Sequence, residues 1–229
     1  MLGLLHLLCA LPVLAFPMHL LGREANASDP LTAFNSIPAV LPPLPYTYDA
    51  LEPIISEDIM RIHHDKHHAA YVANFNVAAH NATVALEQGN VLEVVRLTSA
   101  LSFNGGGHIL HSLFWQNLAP ANAFSVSPAA GGVFPSSGRL ADQVERDYDN
   151  LKRLVSTMQQ FGGAVQGSGW VWLVWNRQNH ALEVISTQNQ NLPSGAQNRT
   201  AYLDAIPAVF NWEEGERRLL AELNGDEWW

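Results

Sequence analysis

Cysteine is almost absent from this chain. Among 229 residues there is one, Cys9. No internal disulfide can form, and beyond the first residues no thiolate is available as a metal ligand. Any metal site must therefore be built from histidine, aspartate, glutamate or water. Basic residues are also scarce. Twelve Lys and Arg stand against 21 Asp and Glu, for a formal charge of −9. That balance is a poor electrostatic match for nucleic acid or an anionic membrane surface, so neither is an expected partner. The apolar run Met1 to Phe16 (MLGLLHLLCALPVLAF) is too short to cross a bilayer comfortably, and no second such run follows. No internal repeat is evident. The second half also lacks an Asp-x-x-x-His or similar spacing that could complete a metal site.

What is present supports a folded protein. Hydrophobic residues make up 48% of the chain, enough for a sizeable core in one large domain or two small ones. The initial run reads as a cleavable secretory signal, although it has no basic residue near its start. Val13-Leu14-Ala15 and Ala25-Asn26-Ala27 are both candidate cleavage sites. Three acceptor triplets follow, at Asn26-Ala27-Ser28, Asn81-Ala82-Thr83 and Asn198-Arg199-Thr200. With the leader, they predict a secreted, extracellular glycoprotein modified at Asn26, Asn81 and Asn198.

The proline-rich stretch 28–53 is expected to be extended. Ser56, followed by Glu57 and Asp58, marks a helix start. Apolar residues from Ile59 to Phe75 then predict one helix over 56–80. Gly89-Asn90 predicts a turn, Val91–Leu101 a second helical piece, and His108–Leu118 another after the glycine run. Residues 119–135, with Pro120, Pro128 and Pro135, form the natural boundary between two units. Leu140–Phe161 reads as a single amphipathic helix stopped at Gly162-Gly163. Trp170–Trp175 and Ala181–Thr187 read as the strands of a hairpin. Tyr202–Leu223 reads as helical with an interruption at Pro207. The predicted organisation is a signal and leader over 1–27, a helical hairpin over 28–119 and a C-terminal α/β unit over 136–229. The fold class is α+β, with a small antiparallel sheet reduced to a hairpin.

Histidines dominate two of these segments. His63-His64-Asp65-Lys66-His67-His68 places two pairs at a spacing of four, so His63 and His67 share one helix face and His64 and His68 a neighbouring one. This cluster could be a solvated face, a zinc-binding patch or part of a buried site. His108 and His111, three apart beside Phe114 and Trp115, belong to a helix that should be buried. Imidazoles from two helices are one way a bundle builds a metal site.

These residues resemble the iron/manganese superoxide dismutases. The resemblance is close from Leu44-Pro45-Tyr46 through His63–Tyr71 and in Phe103-Asn104-Gly105-Gly106-Gly107-His108-Ile109-Leu110-His111-Ser112-Leu113-Phe114-Trp115. It resumes at Gln166-Gly167-Ser168-Gly169-Trp170-Val171-Trp172-Leu173 and at Asn211-Trp212-Glu213. The resemblance implies His63 and His111 as metal ligands, and His67 and Tyr71 as groups lining substrate access, with Tyr71 in a proton relay. It implies Trp115, Trp170 and Trp172 as walls, and Gln190 as the amide that bonds metal-bound solvent. Gln190 and Gly106-Gly107 look more like the manganese type than the iron type. Superoxide is the implied substrate, and a homodimer or homotetramer the implied assembly.

The departure from the family lies after the hairpin. The family continues with a third strand and Asp-x-Trp-Glu-His-Ala-Tyr, whose Asp and His are the remaining ligands. Here Leu192-Pro193-Ser194-Gly195-Ala196-Gln197 runs directly into Asn198-Arg199-Thr200. Both ligands, the strand and the Glu-His pair that couples subunits are missing, which implies a weakened dimer contact, weak metal binding and low activity. Asp204, Glu213 and Glu214 match no family ligand. The alternatives are a non-catalytic scaffold on the same fold and a secreted metal-binding protein that uses the histidine cluster.

Overall fold

The computed structural model describes residues 38–120, 132–176, 179–192 and 210–224. Ser56 caps the first helix by accepting the Ile59 N–H at 3.4 Å, with Glu57 and Asp58 in the first turn. Helix α1 (Glu57–Ile62) passes into a π-helical turn, His63–His68, and then into α2 (Ala69–Glu87). The rod extends past the expected end at His80 because Ala78, Ala79, Ala82 and Ala85 continue a buried stripe of strong helix formers. Asn81 therefore lies on a helix, on its exposed side. Gly89, at φ 65°, makes the expected turn.

Asn90 then caps α3 (Val91–Gln116), accepting the Glu93 N–H at 3.2 Å. The sequence predicts two helical pieces here, but α3 is continuous through Gly105-Gly106-Gly107. A helix-interior glycine costs about 1 kcal/mol relative to alanine. Packing demands two of them. A Cβ on Gly106 would meet the Gln190 carbonyl oxygen, and one on Gly107 would lie 2.5 Å from the Tyr71 ring.

The expected single helix over 140–161 is divided into α4 (Arg139–Tyr148) and α5 (Leu151–Gly163). Asp149 adopts φ 64°, and Asn150 caps α5 by accepting the Arg153 N–H at 3.0 Å. Asp and Asn tolerate these roles better than other side chains, so a local break overrides the amphipathic period. Strands β1 (Gly169–Asn176) and β2 (Ala181–Gln188) pair antiparallel, with Trp170 opposite Thr187 and Trp172 opposite Ile185. Among the described residues the sheet has these two strands. Helix α6 (Trp212–Asn224) closes the described chain. The predicted interruption at Pro207 lies outside the described residues.

Two apolar clusters hold these elements together. Leu51, Ile55, Met60, Trp115 and Leu118 pack where the N-terminal segment meets α1 and the end of α3. Leu140, Val144, Leu154, Leu182, Val184, Trp212 and Leu219 join α4, α5, β2 and α6. A polar seam links the two regions. The Asn211 backbone N–H donates to the Asn117 carbonyl at 2.9 Å, and its side chain donates to the Gln116 carbonyl at 3.1 Å. The result is the expected α+β fold, a helical hairpin followed by a unit with a small antiparallel sheet. No described helix is long and apolar enough to cross a membrane.

Candidate metal centre

The π-helical turn and α3 bring His63, His67 and His111 together, with one nitrogen of each within 4.8 Å of the others. Their ring centroids are 5.5 Å apart for His63 and His67, 5.0 Å for His63 and His111, and 5.1 Å for His67 and His111. His111 is 1% exposed, His63 half-buried and His67 exposed. The His111 Nδ1 lies 2.7 Å from the Gly107 carbonyl oxygen. A carbonyl can only accept, so Nδ1 carries the proton and Nε2 keeps its lone pair. Burial above all, then the neighbouring His63, pulls the His111 pKa down to about 3. The ring is neutral at neutral pH, as a ligand must be.

The second histidine pair, at the same spacing, meets a different fate. His64 is buried, with Nε2 2.8 Å from the Pro42 carbonyl and Nδ1 2.7 Å from the Asp65 carboxylate. The Tyr48 hydroxyl also donates to that carboxylate, at 2.6 Å. His68 is fully buried. The Trp115 indole N–H donates to its Nδ1 at 3.0 Å. An indole can only donate, so the His68 proton sits on Nε2 and is given to His108 Nδ1 at 2.9 Å. Burial, reinforced by His111 and His108, lowers the His68 pKa to about 2. His108, sequence neighbour of His111, thus supports His68, while the His111 ring faces the cluster.

Aromatic rings enclose the cluster. Trp115 lies 4.9 Å from His63, and Trp170 of β1 lies 5.0 Å from His111. Trp172 packs 5.9 Å from Trp170 and donates its indole N–H to Thr187 at 3.0 Å. Phe114 is a wall residue that the sequence reasoning did not single out. It lies 5.5 Å from both His63 and Trp170, and its place beside Trp115 in the motif was the available signal. Tyr71 of α2 stands 4.9 Å from His67 and 5.2 Å from His111. Burial raises its hydroxyl pKa above 10, opposed by a hydrogen bond from Gln190.

Gln190 is buried in the turn after β2 and accepts the Trp170 indole N–H at 3.3 Å. Asn189 at φ 52° begins that turn. His63, His67, Tyr71, His111, Trp115, Trp170 and Gln190 therefore come together, while Trp172 stands behind Trp170. Of the remaining acids, Asp204 lies outside the described residues and Glu214 is engaged by Arg217 and Arg218. Among the described residues the cluster contains no carboxylate, and no histidine follows His180 in the sequence. Manganese favours oxygen donors, and imidazole suits iron, nickel, copper and zinc. The donors present therefore do not by themselves fit a manganese ion.

Residues 39–119 match the alpha-hairpin domain of iron/manganese superoxide dismutases, and residues 136–198 match the C-terminal domain of the same enzymes. The chain belongs to this family. It is 42% identical over 199 residues to the mitochondrial manganese superoxide dismutase of Cryptococcus neoformans, covering 79% of this chain and 86% of the relative. It is 41% identical over 187 residues to mitochondrial manganese superoxide dismutase 3.1 of Zea mays, covering 82% and 76%. With the mitochondrial manganese superoxide dismutase of Aspergillus niger it shares 38% over 205 residues, covering 82% and 94%.

These names correct the secretory reading. All three relatives are named mitochondrial. The reading rested on an apolar run without the basic start that a secretory signal normally has. The glycoprotein expectation at Asn26, Asn81 and Asn198 falls with it, since modification of such triplets belongs to secreted proteins. Asn26 and Asn198 lie outside the described residues. The leader over 1–27 does as well.

Proposed function

We propose that the chain is a superoxide dismutase of the manganese type, with low activity as written. Its substrate is superoxide. His63 and His111 are its two retained ligands, while the segment carrying an aspartate and a further histidine is missing. The observation that carries this reading is His111 itself. Its Nδ1–H is tied to Gly107 and its ring is packed between His63, Tyr71 and Trp170.

A redox metal, if held by His63 and His111 with donors from elsewhere, would supply the one-electron chemistry that dismutation needs. The chain's own residues serve proton supply and shielding. Peroxide leaves after taking two protons. Tyr71, whose hydroxyl stays protonated at neutral pH, holds such a proton beside Gln190. Gln190 is oriented in turn by Trp170. Trp115, Trp170 and Trp172 limit water around the rings. His67, exposed at the edge, lines access. Without an anionic ligand the charge of such an ion would not be offset, nor its potential tuned for both half-reactions.

In this reading the chain divides into units over 28–119 and 136–229, supported by the ranges of the family matches. It acts in the mitochondrion, supported by the names of its relatives. It associates as a homodimer or homotetramer with a weakened contact. Exposed Val91, Leu92 and Val95 on α3 support self-association.

The test is metal analysis of the purified chain after loading with manganese or iron, paired with a superoxide-removal assay. Sub-stoichiometric metal and slow removal are expected. Manganese occupancy near one per chain with fast removal overturns the low-activity reading.

A further inference from the structure

We propose that this polypeptide holds an imidazole-preferring divalent ion such as zinc, with His63, His67 and His111 as its three ligands. The inference rests on the reading of His63 and His111 as ligands and adds His67 as the third.

The geometry is close to what such an ion requires. Tetrahedral zinc with Zn–N bonds of about 2.0–2.1 Å places its nitrogens about 3.3 Å apart. The three nitrogens here lie within 4.8 Å of one another. Binding would draw the three nitrogens closer together. His111 is the fixed member. Its Nδ1–H is held by the Gly107 carbonyl, the arrangement by which a ligating histidine is oriented and its other nitrogen kept as a donor.

The donor set also selects the ion. Three imidazoles with no carboxylate among the described residues suit zinc, copper or nickel, and manganese stands lowest in the affinity order of these divalent ions. The nearest acid on the π-helical turn, Asp65, is taken by Tyr48 and His64 and supplies no anion. Three protein imidazoles leave a fourth position for solvent, as in sites of the three-histidine zinc type.

The full chain, stripped of metal, is equilibrated with equal concentrations of zinc and manganese, dialysed, and analysed for both. Zinc near one per chain with little manganese is expected, and cobalt substitution should give the visible spectrum of a four-coordinate ion. His67→Ala should weaken zinc by more than the ~10–100-fold typical of residues outside the ligand shell. His67 is exposed, so the variant should fold, which circular dichroism checks. His180→Ala, on the hairpin turn, should leave binding unchanged. Manganese retained in preference to zinc, or no zinc bound, overturns the inference. If His63→Ala and His111→Ala release zinc but His67→Ala does not, the third ligand is wrong and the two-ligand reading stands. If neither His63→Ala nor His111→Ala releases zinc, the ligand reading falls as well.

Discussion

On the helical side of the cluster, the rings are held by bonds whose direction is fixed. Gly107 sets the His111 proton, Trp115 sets that of His68, and His68 in turn engages His108. On the sheet side the cluster meets one amide, Gln190, and one tryptophan, Trp170, backed by Trp172 in a two-stranded hairpin. The helical wall is specified by contacts within and between α2, the π-helical turn and α3. From behind the hairpin it receives Gln190 against Gly106, Phe210 beside the cluster that holds Trp115, and the Asn211 bonds to the end of α3. The helical side thus fixes where the ring protons sit, and the sheet side contributes one amide and a tryptophan wall.

The sharpest way to break that comparison is Trp115→Ala against Trp172→Ala. Trp115 is almost fully buried and its loss also leaves His68 Nδ1 without a donor. A cost of about 3–5 kcal/mol is expected from chemical denaturation. Trp172, partly exposed on the hairpin, should cost about 1–3 kcal/mol. Equal losses would show that the two walls are equally built.

Next in size is Asp147, which ties α4 to β2. Its carboxylate accepts the Leu182 N–H at 2.7 Å and the Gln143 amide at 2.6 Å. Burial alone would raise its pKa, but these bonds and Arg146 outweigh burial and hold it below the usual carboxylate range. With the folded pKa depressed, the stabilisation is fully present above the unfolded value of about 3.9 and is lost as pH falls through the folded pKa. Asp147→Asn should cost about 1.5–3 kcal/mol at neutral pH. It should also flatten the acid limb of the stability curve, measured by thermal melts across pH.

A smaller effect is expected at Gly107→Ala. Alanine gains about 1 kcal/mol of helix propensity, yet its methyl strikes the Tyr71 ring. A net loss of about 1–3 kcal/mol with a shifted Tyr71 near-ultraviolet signal is expected. A gain would show that the α2–α3 contact is loose. Smallest is Arg61→Ala, which removes an exposed pair with Glu57 one turn before the histidines. It should leave the melting temperature nearly unchanged, the smallest effect of the series.

Much of this was legible before the fold was known. The cap at Ser56, the turn at Gly89, the hairpin and the i,i+4 relation of His63 to His67 follow from local rules that the structure obeys. The continuous α3 was not legible, because three consecutive glycines are a breaker by propensity. Only contacts from Tyr71 and Gln190, distant in sequence, explain them. The break at Asp149 was hidden under an amphipathic period that continues on either side. The sorting of four near-identical histidines into an open pair and a buried pair was also out of reach. It depends on Pro42, Trp115 and His108 arriving from elsewhere. The secretory expectation failed because a largely apolar run of sixteen residues without an initial charge does not specify a route.

The π-helical turn at His63–His68 has a consequence for sequence length. A π-turn is an α-helix carrying one surplus residue. Deleting a residue between His63 and His67 would let the rod relax to regular winding and shorten their spacing from four residues to three. His63 would then meet His67 and His111 at a different angle, with its side chain intact and its chemistry unaltered. In this stretch, residue count guards the arrangement as firmly as residue identity, and single-residue deletions there should be more damaging than most substitutions.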